Sequence, residues 1–384
     1  MPDGTEPVSV DEIVQLGAED PEFYCRHFFP KVVRQATPAF HLDMWDVLED
    51  PNNALCNFQV FRGGAKTTLL RLFASRRIAY SISRTILLIA KSEAASLRTL
   101  RWIKRQVDFN TAWAGAFGLK QGSKWSDREI EIVHEVSGVT VWITACGITG
   151  SIRGINFDDY RPDLILVDDV IDDENAGTDE QRQKINKLLL GAVKQSLAPP
   201  SENPDATMAM AHTPQHKEDA SCQALNDPAW KSIRYGCFDE DGYSRWEARY
   251  PVEALLKEKS EYAARNQLSI WYREKECRLI DPETSAFMAN WLQFYDVEPV
   301  GGVTVLVLDP VPPPSERQLA VGLRQKDYEA FAIVRKFGNK YYVLETSSRR
   351  GHDPSWTIAE FFRLVIKWRP REAIVEATAY QRTL

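Results

Sequence analysis

The chain has 384 residues, 44% of them hydrophobic and 26% charged, and a formal net charge of −7. That length holds two or three cores of ordinary globular composition, and the acidic balance counts mildly against a generally basic nucleic-acid binder without excluding a local basic surface. The longest apolar runs, such as Ile86–Ala90, suit a strand and fall short of a membrane span. The polar N-terminus shows no secretory signal, and six cysteines without Cys-x-x-Cys spacing argue against zinc and for a reducing compartment.

Residues 1–45 read as helical, with an aromatic anchor at Phe23–Phe29. A first core strand, Leu55 to Phe61, runs into Arg62-Gly63-Gly64-Ala65-Lys66-Thr67-Thr68 and a helix to about Tyr80. A second strand, Thr85 to Ala90, precedes a helix over 91–107. There Arg98, Arg101, Lys104 and Arg105 share one face, either a contact for phosphates or a neighbouring subunit, or a solvated surface. Glu129–Val133 and Val139–Thr144 alternate around Ser137-Gly138 as a hairpin. Leu164–Val167 is a strand ending in Asp168-Asp169, Gln181–Leu197 is a helix, and Ala206–Met210 is a strand leading to Ala211-His212-Thr213-Pro214. Residues 240–300 look mainly helical, a lid or connector. Val303–Asp309 opens a new core, followed by a hairpin around Gly338-Asn339, a helix from Trp356 to Trp368 and the strand Ala373–Glu376. Strand–helix alternation over the first part implies a largely parallel sheet with ligands at its carboxyl ends, where Lys66, Asp168 and Thr213 all fall.

Two segments carry the chemistry. A Gly-rich turn opening a helix presents backbone N–H groups to phosphate oxygens, a lysine adds charge, and a hydroxyl follows for Mg²⁺; an aspartate ending a second strand completes the metal shell. The first segment departs from the usual phosphate-loop pattern, which has Gly where Val60 and Ala65 stand. Alone it also fits a Gly-Gly turn opening a helix with an exposed lysine. The Asp168-Asp169 strand about a hundred residues on shifts the reading to a nucleotide triphosphate site.

These motifs resemble the large terminase subunits, the DNA-packaging motors of tailed bacteriophages. The resemblance rests on the altered Walker A with Arg62, Ala65-Lys66 and Thr67-Thr68; on Ser151-Ile152-Arg153-Gly154; and on Arg161 to Asp169, continued by Asp172-Asp173-Glu174-Asn175. It extends to His212-Thr213-Pro214 and, farther on, to Asp309-Pro310, Asp327–Ala330 and Glu376. It implies an α/β P-loop NTPase domain (ASCE-like, mostly parallel sheet) with an N-terminal helical arm over 1–240. A helical lid or linker would follow over 241–300, and the first part of an RNase H-like nuclease over 301–384. It further implies ATP and Mg²⁺ as cofactors, Mn²⁺ or Mg²⁺ for the nuclease, and double-stranded DNA, a portal protein and a small terminase subunit as partners. A homo-oligomeric ring, a pentamer, would dock on the viral procapsid in the host cytoplasm without membrane contact.

By this resemblance Lys66 holds the β- and γ-phosphates on the loop Gly63, Gly64, Ala65, with Thr68 following, while Thr67 and Asp168 hold the metal. Asp169 polarises the attacking water, unless it caps a helix and Glu174 is the base. Arg62 and Arg153 are cations for the γ-phosphate, Arg153 acting in trans or forming a salt bridge to Asp158, Asp159 or Asp163. Thr213 senses phosphate loss or is simply a Thr-Pro turn. The family's upstream glutamine for the adenine edge is missing, so His41 or Gln59 must serve. Asp309 and Glu376 would bind a pair of divalent ions, with Asp327 a further ligand or a turn residue. The family's third nuclease acid lies beyond Leu384, so the chain reads as an N-terminal fragment. His134, His216 and His352 read as isolated surface residues. A helicase or recombination ATPase, and a non-catalytic nucleotide-binding module, are the rival readings.

Overall fold

The computed structural model describes residues 9–150, 160–172, 177–279, 293–310, 328–349 and 354–375. The chain divides into two compact units, Met1–Ala286 and Phe287–Leu384.

The first unit is built on an eight-stranded sheet of β1 Leu55–Val60, β2 Thr85–Ala90, β3 Leu119–Trp125, β4 Glu129–His134, β5 Val139–Gly147, β6 Leu164–Asp168, β7 Thr207–His212 and β8 Lys231–Tyr235. Its order is β3-β4-β5-β2-β6-β7-β1-β8. All neighbours from β5 to β8 are parallel, and β3 and β4 are an antiparallel edge. Every residue of β2 and β7 is buried, as strands covered on both faces require. Alternate residues go to opposite layers. Ile86, Leu88, Leu164, Leu166, Ala209 and Ala211 pack with α3 Ala39–Glu49, α4 Lys66–Ala79 and α5 Glu93–Phe109. Leu87, Ile89, Ile165, Val167, Met208 and Met210 pack with the helix α7 Asp179–Lys187, its π-helical continuation Leu188–Val193, and α8 Ala220–Leu225. The arm consists of α1 Val10–Glu19 and α2 Pro21–Phe28, then irregular chain up to α3. It is fastened through Tyr24, whose hydroxyl accepts from Trp113 Nε1 at 2.7 Å, on α6 Thr111–Phe117, and donates to Ser75 Oγ at 3.2 Å, on α4. α9 Val252–Ala264 and α10 Leu268–Glu276 close this unit's described part.

The second unit has β9 Val303–Asp309, β10 Glu329–Phe337, β11 Lys340–Arg349, α11 Pro354–Trp368 and β12 Glu372–Val375. Its sheet order is β11-β10-β9-β12, with β12 parallel to β9 and the other pairs antiparallel. Leu306, Leu308, Phe331, Ile333 and Leu364 form its core.

Several elements depart from the sequence reading. β3 and β8 are strands that the alternation did not reveal, because both are edge strands rich in polar residues, β3 mostly exposed and β8 partly so. Residues 237–250 hold no helix, only a bridge between Phe238 and Ser244. His134 is not a surface residue: it is buried, with Nε2 2.8 Å from the Ala79 carbonyl. His216 is half-buried and accepts the Glu218 amide through Nδ1 at 3.1 Å.

Candidate active site

The parallel register sets the site. Ala90 of β2 lies level with Asp168 of β6, and Asp168 with Ala211 of β7; Gln59 of β1 lies level with His212. The carboxyl ends of β1, β6 and β7 therefore deliver the phosphate loop, the aspartate pair and Thr213 to one edge. β7 stands between the other two.

The loop turns through Gly63 at φ 92° and Ala65 at φ 59°, both left-handed. Ala65 is the N-cap of α4 and supplies no side-chain cap, so the helix's first-turn amides are left for a ligand. Alanine stands here in a conformation that glycine adopts more easily, which is the physical content of the departure noted above.

Lys66 is buried at this helix start. Its Nζ donates to Thr213 Oγ1 at 2.9 Å and pairs with Asp169 Oδ2 at 3.1 Å. Thr213 Oγ1 in turn donates to the Val60 carbonyl at 3.0 Å, and the Thr213 amide donates to Asp169 Oδ1 at 3.3 Å. Asp169 also adopts the left-handed region, at φ 44°, and its amide donates to the Ala211 carbonyl. It is thus part of the site and caps no described helix. Thr67 Oγ1 lies 2.9 and 2.7 Å from the two carboxylate oxygens of Asp168. Burial, and then the neighbouring Asp169 charge, push the Asp168 pKa up to about 6. A hydroxyl against a buried carboxylate is the hard-oxygen donor set that suits Mg²⁺, so the residues fit that ion.

Two cavities flank the first turn of α4. One, of about 570 Å³, is lined by Lys66, Thr67, Asp168, Asp169 and Thr213, with Arg62, Arg71, Lys91, Arg98 and Glu274 around them. The other, of about 310 Å³ and more apolar, is lined by Ala65, Thr68, Leu69 and Leu72, with His41, Trp45, Trp246 and Arg249 opposite. The charged lining of the first suits a polyphosphate, and the apolar lining of the second suits a flat ring. His41 Nε2 lies 2.8 Å from the Gly64 carbonyl, which only accepts, so Nε2 carries the proton and Nδ1 is an acceptor. Burial lowers its pKa to about 4, keeping the ring neutral. Gln59, the alternative base reader, is turned elsewhere. Its amide bonds Ser221 Oγ at 2.9 Å and accepts Arg234 Nε at 2.7 Å, so it lines neither cavity.

The loop is held from outside by residues the sequence did not single out. Tyr250 OH lies 3.3 Å from the Gly63 carbonyl. The Arg62 amide donates to the Glu274 carbonyl at 2.6 Å, and its guanidinium pairs with the Glu274 carboxylate at 3.1 Å. Arg62 lines the cavity while tied to that acid. Such partners lie about two hundred positions away, and no local pattern announces them.

Arg153 and Glu376 lie outside the described residues, as do Asp327, Glu174 and His352. Asp309 ends β9, exposed and opposite Ala330. Among the described residues no three His, Cys, Asp or Glu side chains cluster to hold a metal. No helix among them is long and apolar enough to cross a membrane.

No family model and no curated protein match this chain. Solved structures of phage large terminases are similar to it. A large terminase from a thermophilic bacteriophage is 10% identical, with a TM-score of 0.41, covering 90% of this chain and 79% of that one. Its ADP complex matches at the same identity and TM-score, over 90% and 78%. The large terminase ATPase domain of Thermus phage P74-26 is 12% identical, with a TM-score of 0.43, over 66% of this chain and 97% of that one.

Proposed function

We propose that this chain is the ATP-hydrolysing motor subunit of a tailed-phage genome-packaging machine, a large terminase. The observation that carries the proposal is the Lys66–Asp169–Thr213 cluster beside the Thr67–Asp168 pair, on three strand ends of one parallel sheet. Lys66 exchanges its Asp169 partner for the β- and γ-phosphates when ATP enters. The freed Asp169 carboxylate then accepts a proton from the attacking water. Thr213 Oγ1, bound to both Lys66 and the Val60 carbonyl, links the state of the phosphates to the β7 tip. Mg²⁺ on Thr67 and Asp168 would neutralise charge on the phosphate oxygens. The α4 amides and Lys66 supply the rest of the positioning, which is most of what phosphoryl transfer needs. ATP is the substrate, with His41 facing its base.

Its partners would be double-stranded DNA, a portal protein, a small terminase subunit and further copies in a ring, with Arg153 reaching a neighbour. It would work on a procapsid in the host cytoplasm. In the second unit, β12 pairs Val375 with Leu308, so the residues preceding Glu376 and Asp309 are neighbours on parallel strands. This supports an RNase H-like, metal-dependent endonuclease in which Asp309 and Glu376 hold Mn²⁺ or Mg²⁺.

The deciding experiment is ATP turnover with and without double-stranded DNA. Lys66→Ala and Asp168→Ala should each lower kcat at least about a hundredfold, as loss of a charge-stabilising group does. Turnover like wild type in either variant would overturn the site. DNA stimulation without strand separation distinguishes a packaging motor from a helicase.

A further inference from the structure

The phosphate-side cavity holds more positive charge than its acids neutralise. Arg62, Lys66 and Lys91 each reach a carboxylate, on Glu274, Asp169 and Asp172, at 3.1, 3.1 and 3.0 Å. Two arginines lining the same cavity do not. Arg71, half-buried on α4, donates through Nε to the neutral Thr99 hydroxyl at 3.1 Å. Arg98, exposed on α5, has no hydrogen bond or ion pair among the described residues.

Their placement is regular. Arg71 follows Thr67 by one helical turn on α4, and Arg98 follows Ala95 by nearly one turn on α5; all four residues line this cavity. The small Ala95 side chain takes up little of the space beneath Arg98. The two guanidiniums are also close enough to act on each other. Burial lowers the Arg71 pKa, Asp168 opposes that, and Arg98 lowers it further. The cavity lining carries five cationic side chains against four acids, Asp168, Asp169, Asp172 and Glu274, so one positive charge is left over, and an anion relieves it. A guanidinium's planar fork fits the oxygens of a phosphoryl group.

We propose that Arg71 and Arg98 bind the terminal phosphoryl group of the nucleotide in cis, alongside Lys66. This rests on the nucleotide reading above and adds two ligands: Arg71, which nothing in the sequence marked, and Arg98, which the sequence marked only as one of a basic stripe on its helix. Arg71 would stay fixed by Thr99, while Arg98 swings from solvent onto the phosphate. The pair thereby distinguishes a triphosphate from a diphosphate without a second subunit.

The test is calorimetric titration of the full chain with ATPγS and with ADP, in Mg²⁺. Arg98→Gln changes an exposed side chain and should leave folding intact. It should weaken ATPγS binding about tenfold and change ADP binding less than twofold, with Arg98→Lys recovering part of the loss. ATPγS affinity equal to wild type in Arg98→Gln would overturn the proposal. So would an equal loss for both nucleotides, or a loss confined to double-stranded DNA binding, which would assign Arg98 to the DNA backbone instead. Lys66→Ala is the control: if it too binds ATPγS like wild type, the nucleotide site itself is misplaced.

Discussion

Asp168 shows how one side chain ties stability to ligand binding. Its carboxyl is held near pKa 6 by burial and by Asp169, whereas an unfolded aspartate titrates near 4. The folded state therefore keeps a proton that the unfolded state has lost. The contribution is fully present below about pH 4 and disappears as pH rises through about 6, with a span of about 3 kcal/mol. Asp168→Asn removes the ionisation. In the absence of Mg²⁺ it should melt above wild type at pH 8, and the gap should close towards pH 4. Added Mg²⁺ should raise the melting temperature of wild type only. Parallel melting curves across that pH range would show that Asp168 is not the strained carboxylate described here.

At the scale of elements, the phosphate loop is a strained turn under external restraint. A Cβ on Gly63 would lie 2.1 Å from the Tyr250 hydroxyl, at φ 92°, so Gly63→Ala should lower both stability and ATP affinity. Ala65→Gly relieves a left-handed alanine and should raise the melting temperature, whereas Ala65→Val should lower it. Thermal denaturation of the three variants checks both signs. Tyr250→Phe frees the Gly63 carbonyl and should raise KM for ATP several-fold with little change in kcat, measured in steady state. The elements that carry this loop were legible in the sequence because buried strands are continuous apolar runs, as in Thr85–Ala90 and Leu164–Val167. The loop and Asp168-Asp169 were legible because their chemistry is local. Tyr250, Glu274 and Arg71 were not, since only the fold brings them to the loop and its cavity, and Arg98 was legible only as one of a basic stripe, not as part of this site. Gln59 was misjudged for a related reason: it shares a strand face with Asn57, and both bond to Ser221 of α8, on the face away from α4.

At the scale of the whole molecule, each unit has its own core, and the proposed nucleotide site lies in the first. Calorimetry should resolve two transitions. ATPγS at a hundred times its Kd should stabilise one of them by about 2.7 kcal/mol and leave the other unmoved. A shift of both together would show that the units unfold as one.

The order of the main sheet bears on how the protein comes into being. β1, which carries the phosphate loop, has only β7 and β8 as neighbours, and its register partners run from Met208 to His212 and from Lys231 to Tyr235. When Val60 is synthesised those partners are about 150 to 175 residues from being made, roughly 8–35 s at ordinary synthesis rates. Until then β2 and β6 can pair with each other, but the loop strand has no place in the sheet. A nascent chain cut short before β7 would contain the whole phosphate-loop sequence and both aspartates, and it would still be unable to hold nucleotide. A nucleotide bound at this loop would therefore not template the early stages of folding; it would seal a sheet already completed by its last strands.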